Sequence, residues 1–194
     1  MSIQLKSKGE IEIMRRANSV VHDVLKMLTE LVVPGITTKE LDRKAHEFTL
    51  KRGAKPAFLG YPSSHKNVIP FPGVICASVN DAVVHGIPDD RPLVEGDILN
   101  IDYGCELDGF FGDSAVTVGV GKISADAQKL MDVTKASLED AIAQCFPGNR
   151  IGDISNAVQS RVSPYGYGII REFVGHGIGR NMHEPPHVPN FGPK

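Results

Sequence analysis

Residues 97–118 read DILNIDYGCELDGFFGDSAVTV, and this stretch decides the fold of the chain. Apolar residues alternate with polar or small residues on both sides of Asp108-Gly109. Such a dipeptide favours a two-residue hairpin turn, and the alternation is typical of strands with one buried face. The sequence therefore predicts an antiparallel hairpin with strands at residues 97–103 and 110–118.

Two aspartates of this hairpin are candidate metal ligands. A turn centred on Asp108-Gly109 pairs Gly104 with Asp113, so Asp102 and Asp113 share one face as diagonal neighbours. Diagonal Cα atoms lie roughly 7–8 Å apart, and one or two cations can bridge carboxylates at that separation. In partly apolar surroundings, two such groups need either a shared proton or a metal ion. The alternative is that this face of the hairpin meets solvent.

Two helices are predicted before the hairpin. Apolar residues recur every three or four positions over about 8–31, which indicates an amphipathic helix that ends before Pro34-Gly35. Thr37 followed by Glu40 is a capping-box pattern, and it predicts a shorter helix that ends near Gly53.

The rest of the chain repeats this order of elements. Residues 74–79 and 83–84 are predicted to be extended, a third helix runs from Ser124 to about Gln144, and a fourth follows Pro147-Gly148. Long helix, Pro-Gly and short helix thus recur at an offset of 113 residues, counted from Pro34.

The repeat favours a duplicated α+β unit. We expect one domain over residues 1–194, with halves at about 1–120 and 121–194. The counterpart of the hairpin would then fall near residues 211–231, so the second half is expected to stop before its own hairpin.

A glycine-rich run carries two further candidates. Residues 171–185 read REFVGHGIGRNMHEP and follow a segment predicted to be an apolar strand. Glycines let the backbone bend sharply and bring His176 and His183 close to a bound group. His176 suits a mixed carboxylate and histidine site for manganese, iron, cobalt or zinc, and His183 could polarise a substrate carbonyl. The alternative is a glycine-rich turn that carries two surface histidines.

Two other histidine patterns are weaker. His85 lies where an apolar stretch runs into a turn, a place where a lone histidine is more often a hydrogen-bonded structural residue. Residues 183–187, HEPPH, match the H-E-x-x-H zinc motif in letters only, because that motif requires a helix. Pro185 and Pro186 forbid one, so we reject a zincin-type site.

The composition narrows the class of protein. Of 194 residues, 41% are hydrophobic and the formal net charge is −2, so a core can form and no basic surface for nucleic acid stands out. Three cysteines without a CxxC pattern argue against a disulfide framework and a cysteine zinc site. No export signal or membrane span is visible. We therefore expect a cytoplasmic protein.

Several segments taken together resemble the type I methionine aminopeptidases. The matching segments are Leu5-Lys6-Ser7, Glu10-Ile11-Glu12, Met14-Arg15, residues 78–81, 84–88, 96–97, 100–102, 112–113, 171–185 and 188–192. The combination covers nearly the whole chain and is more specific than any one motif. The resemblance implies a pita-bread (creatinase/aminopeptidase-like) fold, a pseudo-two-fold α+β domain, here with the last hairpin of the second half missing.

The resemblance also implies an activity, the removal of the initiator methionine by a site that holds up to two divalent cations. By position, Asp102, Asp113 and His176 match the family's metal ligands, while His85 and His183 match histidines that contact substrate. As a hypothesis, a metal-activated water attacks the methionyl carbonyl, His183 stabilises the oxyanion and His85 orients the scissile amide. The expected partners are peptide or nascent-chain N-termini beginning with Met, and the ribosome. No nucleic acid or membrane is expected.

The resemblance further implies a pocket for the methionine side chain. The residues that fall near the positions of the family's methionine pocket are Phe58, Tyr61, Phe71, Cys76 and Met182. Apolar residues at such places are as often ordinary core.

Two departures from the family pattern matter. Residues 62–70 form a longer segment than the family usually has, which affects the pocket rim. The family's two remaining ligands are glutamates in a C-terminal segment, and the 194 residues end before them. We therefore expect weak metal binding, impaired catalysis and low stability, unless another chain covers exposed apolar faces.

The main alternative is a non-catalytic truncated relative that binds peptide, the ribosome or a partner protein. A prolidase-like hydrolase is disfavoured, because such an enzyme should carry a different histidine pattern upstream of the Gly-His-Gly turn, and this sequence does not have it.

Overall fold

The computed structural model describes residues 3–62 and 69–194, which divide into two compact units. The first unit comprises residues 5–124 together with 178–182, and the second comprises residues 125–177 and 183–194 with residues 3 and 4. Most of the segment that we expected to be unusually long, residues 62–70, lies outside the described residues.

Two helices of the first unit match the sequence prediction closely. Helix α1 spans Lys8–Leu31 and helix α2 spans Thr38–Lys51. Each begins with a side-chain cap, because Ser7 Oγ accepts a hydrogen bond from the Glu10 backbone and Thr37 Oγ1 accepts one from the Glu40 backbone. Such caps satisfy backbone N–H groups that have no partner within the first helical turn.

The sheet of the first unit is antiparallel and centred on the hairpin. Its strands are β1 (Lys55–Pro56), β2 (Ile75–Val79), β3 (Ile98–Leu107) and β4 (Phe110–Gly119). Strand β4 pairs with β3 along its whole length, while β1 and β2 pair with separate stretches of β3. The turn at Asp108-Gly109 has positive φ at both residues, as a type I′ turn requires. The predicted hairpin is confirmed, including its register.

The core of the first unit lies on one face of this sheet. On β3, Leu99, Ile101 and Tyr103 are buried, whereas alternate residues on the strand point to the opposite face. The buried residues pack in one cluster with apolar residues of α1 and α2. The Tyr103 hydroxyl lies 2.7 Å from Thr49 Oγ1, so the largest polar group of this core is satisfied.

Residues 83–84 are not extended, and that prediction is wrong. Val84 and the next residue, His85, have φ values of 45° and 52°, in the left-handed region. The reason is a hydrogen bond of the residue after His85. The Ala77 N–H donates to Gly86 O at 2.8 Å, so the chain must turn tightly to return to β2.

The described part of the second unit contains two α-helices and two short strands. Helix α3 spans Ala125–Ile142, helix α4 spans Ile151–Val162, and a 3₁₀ turn follows at Ser163–Tyr165. Strands β5 (Gly175–Gly177) and β6 (Glu184–Val188) pair antiparallel. Among the described residues of this unit no strand precedes Gly175, so the predicted apolar strand before the glycine-rich run is wrong.

The internal repeat is confirmed at the level of the helices. Helices α2 and α4 begin at Thr38 and Ile151, which are 113 residues apart. No helix in the part of the chain that the structure describes is long and apolar enough to cross a membrane.

Candidate active site

Asp102 and Asp113 lie on the sheet face opposite the core of the first unit. In the observed register, Asp102 is opposite Ala115 and Asp113 is opposite Gly104, so the two aspartates are diagonal neighbours. Both are half-buried. Both positions are therefore partly shielded from solvent, while Ala115 on the same face is exposed.

The two carboxyl groups affect each other's ionisation. Burial, the negative charge of Asp113 and a hydrogen bond between the two carboxyl groups raise the pKa of Asp102 to about 7. A hydrogen bond between them requires a proton on one of the two groups. The two carboxyl groups therefore do not both stay ionised unless a positive charge lies beside them. A divalent cation can take the place of the shared proton.

Cys76 lies beside this pair. It is opposite Asp102 in the pairing of β2 with β3, and its side chain is buried. Burial, followed by the charges of Asp102 and Asp113, raises the pKa of the Cys76 thiol to about 12. The thiol is therefore neutral and behaves as a small apolar side chain.

Phe58 and Met182 cover the same sheet face. A Cβ added at Gly104 would lie 2.9 Å from Phe58 Cε1 and 3.1 Å from Met182 Cε. Gly104 is two residues from Asp102 on β3, and its lack of a side chain lets both apolar groups approach the strand. Three predicted pocket residues, Phe58, Cys76 and Met182, are thus close to the carboxylates.

The other two predicted pocket residues flank the undescribed segment. The Phe71 N–H donates to Tyr61 O at 2.9 Å, and the Gly60 N–H donates to Phe71 O at 2.8 Å. These bonds hold the two ends of the intervening segment together. The Phe71 side chain is half-buried, whereas that of Tyr61 is exposed.

His85 lies next to β2 because the following residue, Gly86, is bonded to that strand. The Gly86 N–H donates to Ser78 Oγ at 3.2 Å, and a Cβ at Gly86 would lie only 2.2 Å from Ala77 O. Only glycine permits this approach. The two successive left-handed residues before Gly86 leave the His85 side chain exposed. Non-glycine residues in this conformation are strained and are typical of functional sites.

His176 and His183 lie together in the second unit. Their ring centroids are 4.2 Å apart, and His176 Nδ1 lies 2.9 Å from Gly177 O. Strands β5 and β6 bring the two rings together with a bulge after His176. A Cβ at Gly177 would lie 2.4 Å from Pro185 O, so glycine is required there. HEPPH includes most of β6, and the rejection of a helical zinc motif is confirmed.

The structure thus groups the candidate residues into two sets. The two carboxylates, the five predicted pocket residues and His85 belong to the first unit, and the pair His176 and His183 belongs to the second. No set of three or more His, Cys, Asp or Glu side chains in the described ranges forms a ready metal-binding group.

The sequence analysis did not predict that Gly104 makes room for Phe58 and Met182. It also did not predict that residues 178–182 attach to the hairpin. The Phe111 N–H donates to Gly179 O at 2.8 Å, which attaches this segment to β4. The glycines themselves were the available signal, because a glycine within a strand often marks a close approach of other groups.

Comparisons with known proteins define the class first. A model of metallopeptidase family M24 matches residues 12–194. The methionine aminopeptidases of Clostridium perfringens and Bacillus subtilis are 47% and 45% identical to this chain over 98% and 97% of its length. The chain spans 74% and 73% of those two relatives. It therefore belongs to the methionine aminopeptidases, an enzyme family within M24.

Solved structures agree with this membership. The methionine aminopeptidase of Thermotoga maritima has a TM-score of 0.93 and 38% identity, with 98% of this chain and 74% of that chain covered. A prolidase from Pyrococcus furiosus has a TM-score of 0.82 at 20% identity, with 98% of this chain and 53% of that chain covered, and shares the fold. The expected pita-bread fold is confirmed.

Proposed function

We propose that this chain removes methionine from the N-terminus of peptides and nascent proteins in a reaction that requires a divalent cation. The carboxylate pair Asp102 and Asp113 carries this proposal, in a chain 47% identical to a methionine aminopeptidase. We extend the proposal to nascent chains at the ribosome, in the cytoplasm.

The proposed cation ligands are Asp102, Asp113 and His176. Carboxylate oxygens with an imidazole nitrogen suit manganese, iron, cobalt or zinc. The bound cation would supply a Lewis acid and an activated water. The raised pKa of Asp102 supports this fit, because neutralisation by a cation relieves the repulsion between the carboxylates. Three protein ligands of this kind predict modest affinity for the cation.

The proposed substrate contacts involve the remaining candidates. Phe58, Cys76 and Met182 would contact the methionine side chain, and a neutral thiol keeps that surface apolar. His183 would donate a hydrogen bond to the carbonyl oxygen as negative charge develops there, and His85 would orient the scissile amide. Tyr61 and Phe71 would form part of the pocket entrance.

Methionine release from Met-Ala-Ser tests the proposal. The wild type is titrated with Mn²⁺ or Co²⁺, and Mn²⁺ binding is measured in parallel by calorimetry. Asp113→Asn keeps the shape of the side chain but removes its charge, so it should reduce both turnover and Mn²⁺ affinity at least about tenfold. Asp132→Asn, an exposed aspartate on α3, is the matched control and should change neither.

Three outcomes decide between the candidate functions. Metal-dependent turnover that Asp113→Asn removes supports the proposal. Mn²⁺ binding without any turnover would favour the non-catalytic relative. Faster hydrolysis of an X-Pro peptide than of Met-Ala-Ser would instead favour prolidase chemistry.

A further inference from the structure

Segment 178–182 is a short part of the first unit that carries Met182 to the pocket. Met182 is buried, and its Cε approaches Gly104 beside Phe58. On its main chain, the segment is attached to β4 by the bond from the Phe111 N–H to Gly179 O. Gly179 has no side chain, so the segment depends on its main-chain bond and on the side chains of its other residues to hold its position. A side chain that fixes the segment would therefore fix the position of Met182.

Arg180 makes two contacts outside the segment. Its guanidinium carbon lies 4.4 Å from the centre of the Phe110 ring, within the range of a cation–π interaction. Its Nη2 lies 3.1 Å from Glu10 Oε1 on α1. The two partners belong to different elements, the start of β4 and the start of α1. Together the contacts restrain the arginine in two directions.

Glu10 is itself held in place before it meets Arg180. Its Oε2 accepts hydrogen bonds of 2.9 Å from both the backbone N–H and the hydroxyl of Ser7. These bonds belong to the capping box at the start of α1. The carboxylate therefore needs no further ordering to receive the guanidinium, and an ion pair between preorganised groups is worth more than one between two mobile side chains.

We propose that Arg180 is a positioning residue for substrate binding: by bridging Glu10 and Phe110, it holds segment 178–182 against β4 and thereby fixes Met182 in the methionine pocket. This inference rests on the proposed function, because it assigns Met182 to the pocket of that site. Arg180 itself is more than half exposed and reaches the substrate only through Met182.

The first test measures the position of the segment without using activity. The Phe111 N–H reports the attachment, since its hydrogen bond to Gly179 O protects it from exchange with solvent. Amide hydrogen exchange at Phe111 should be about three- to tenfold faster in Arg180→Ala than in the wild type, given the strength of an exposed ion pair and cation–π contact. Arg16→Ala is the matched control, because Arg16 is an exposed arginine of α1 that pairs with Asp108 of the hairpin turn.

The second test measures the consequence for substrate. For Met-Ala-Ser, KM should rise about three- to tenfold in Arg180→Ala while kcat changes less than about twofold, because binding of the methionine side chain is lost equally from the ground and transition states. Arg180→Lys keeps the charge near Glu10 but loses the planar stacking on Phe110. Its KM should therefore lie between that of the wild type and that of Arg180→Ala. Glu10→Gln should raise KM less, and adding it to Arg180→Ala should add little.

The outcomes separate this inference from the proposed function. Unchanged exchange at Phe111 in Arg180→Ala overturns the positioning role. An active wild type whose KM is unaffected by Arg180→Ala overturns the link to substrate binding alone. A wild type that releases no methionine under any metal condition overturns the proposed function, and the substrate role of Arg180 with it.

Discussion

Helices α1 and α3 occupy equivalent places in the internal repeat, yet their apolar stripes meet different surroundings. Leu25 of α1 is 8% exposed, whereas Leu138, 113 residues later on α3, is 57% exposed. Ala17 is fully buried, and its counterpart Leu130 is 39% exposed. The spacing of apolar residues specifies the helix in both cases, but burial of the stripe depends on what covers it.

The difference follows from the sheets of the two units. Helix α1 packs against the ten-residue strands β3 and β4, and its inward residues join their core. The second unit has only the short strands β5 and β6 in its described residues. Its buried apolar residues are correspondingly few, among them Val133, Ala141 and Val162. The stabilising core of the described chain is therefore concentrated in the first unit.

The largest expected effect comes from truncating equivalent leucines in the two helices. Leu25→Ala should lower the free energy of unfolding by about 2–4 kcal/mol, because it removes buried apolar surface and leaves a cavity. Leu138→Ala should change it by less than about 0.5 kcal/mol, because most of that side chain is already in water. Urea unfolding followed by circular dichroism measures both. Equal losses would show that the α3 stripe is covered in solution, for example by self-association.

A glycine substitution tests how closely α1 approaches the hairpin. A Cβ at Gly112 would lie 3.0 Å from the backbone of Ala17 and Asn18, so Gly112→Ala should cost about 1–3 kcal/mol. Gly9→Ala, on α1 where nothing lies within 4 Å, should instead stabilise by up to about 1 kcal/mol. Thermal unfolding compares the two. A neutral Gly112→Ala would contradict the close packing of α1 on β4.

Two tyrosines, one buried in the first unit and one exposed in the second, provide the next comparison. Thr49 Oγ1 donates to Ala45 O at 2.6 Å, so the Tyr103 hydroxyl must donate to Thr49. Tyr103→Phe removes this buried bond and should cost about 1–1.5 kcal/mol in urea unfolding. Tyr165→Phe in the second unit, where the side chain is 44% exposed, should cost less than about 0.5 kcal/mol. Similar losses at both positions would remove this distinction.

The smallest effect is expected in the acid dependence of stability. A hydrogen bond from Asn80, followed by one from the Val94 N–H, lowers the pKa of the buried Asp97. A lowered folded pKa means that this stabilisation is present above the unfolded value of about 3.9 and is lost as pH falls through the folded pKa. Asp97→Asn should therefore destabilise the protein near neutral pH, and the difference from wild type should shrink in acid.

An exposed aspartate of the second unit provides the comparison for Asp97. The hydrogen bond from Arg161 lowers the pKa of Asp140, with the same sign of pH dependence. Its side chain is 38% exposed, so solvent screening reduces the effect. Unfolding measured from about pH 7 to pH 3 should show a weaker change for Asp140→Asn than for Asp97→Asn. The reverse order would place the stronger polar contact in the second unit.

Local signals predicted much of the first unit and of the carboxylate pair. The Asp108-Gly109 turn fixed the register, and with it the shared face of Asp102 and Asp113, because side chains alternate strictly along a strand. They did not predict the left-handed conformation at Val84 and His85, which follows from a hydrogen bond between residues 77 and 86. Nor did they predict that Gly104 makes room for Phe58 and Met182.

The sequence by itself determined the helices, the hairpin, its register and the family, since periodicity, caps and turn residues act over a few positions. Tertiary structure alone decided which stripes are buried, how Gly104 admits Phe58 and Met182, and how Arg180 meets Glu10 and Phe110. Those contacts join residues far apart in the chain. Their geometry depends on how whole elements pack, which no local pattern encodes.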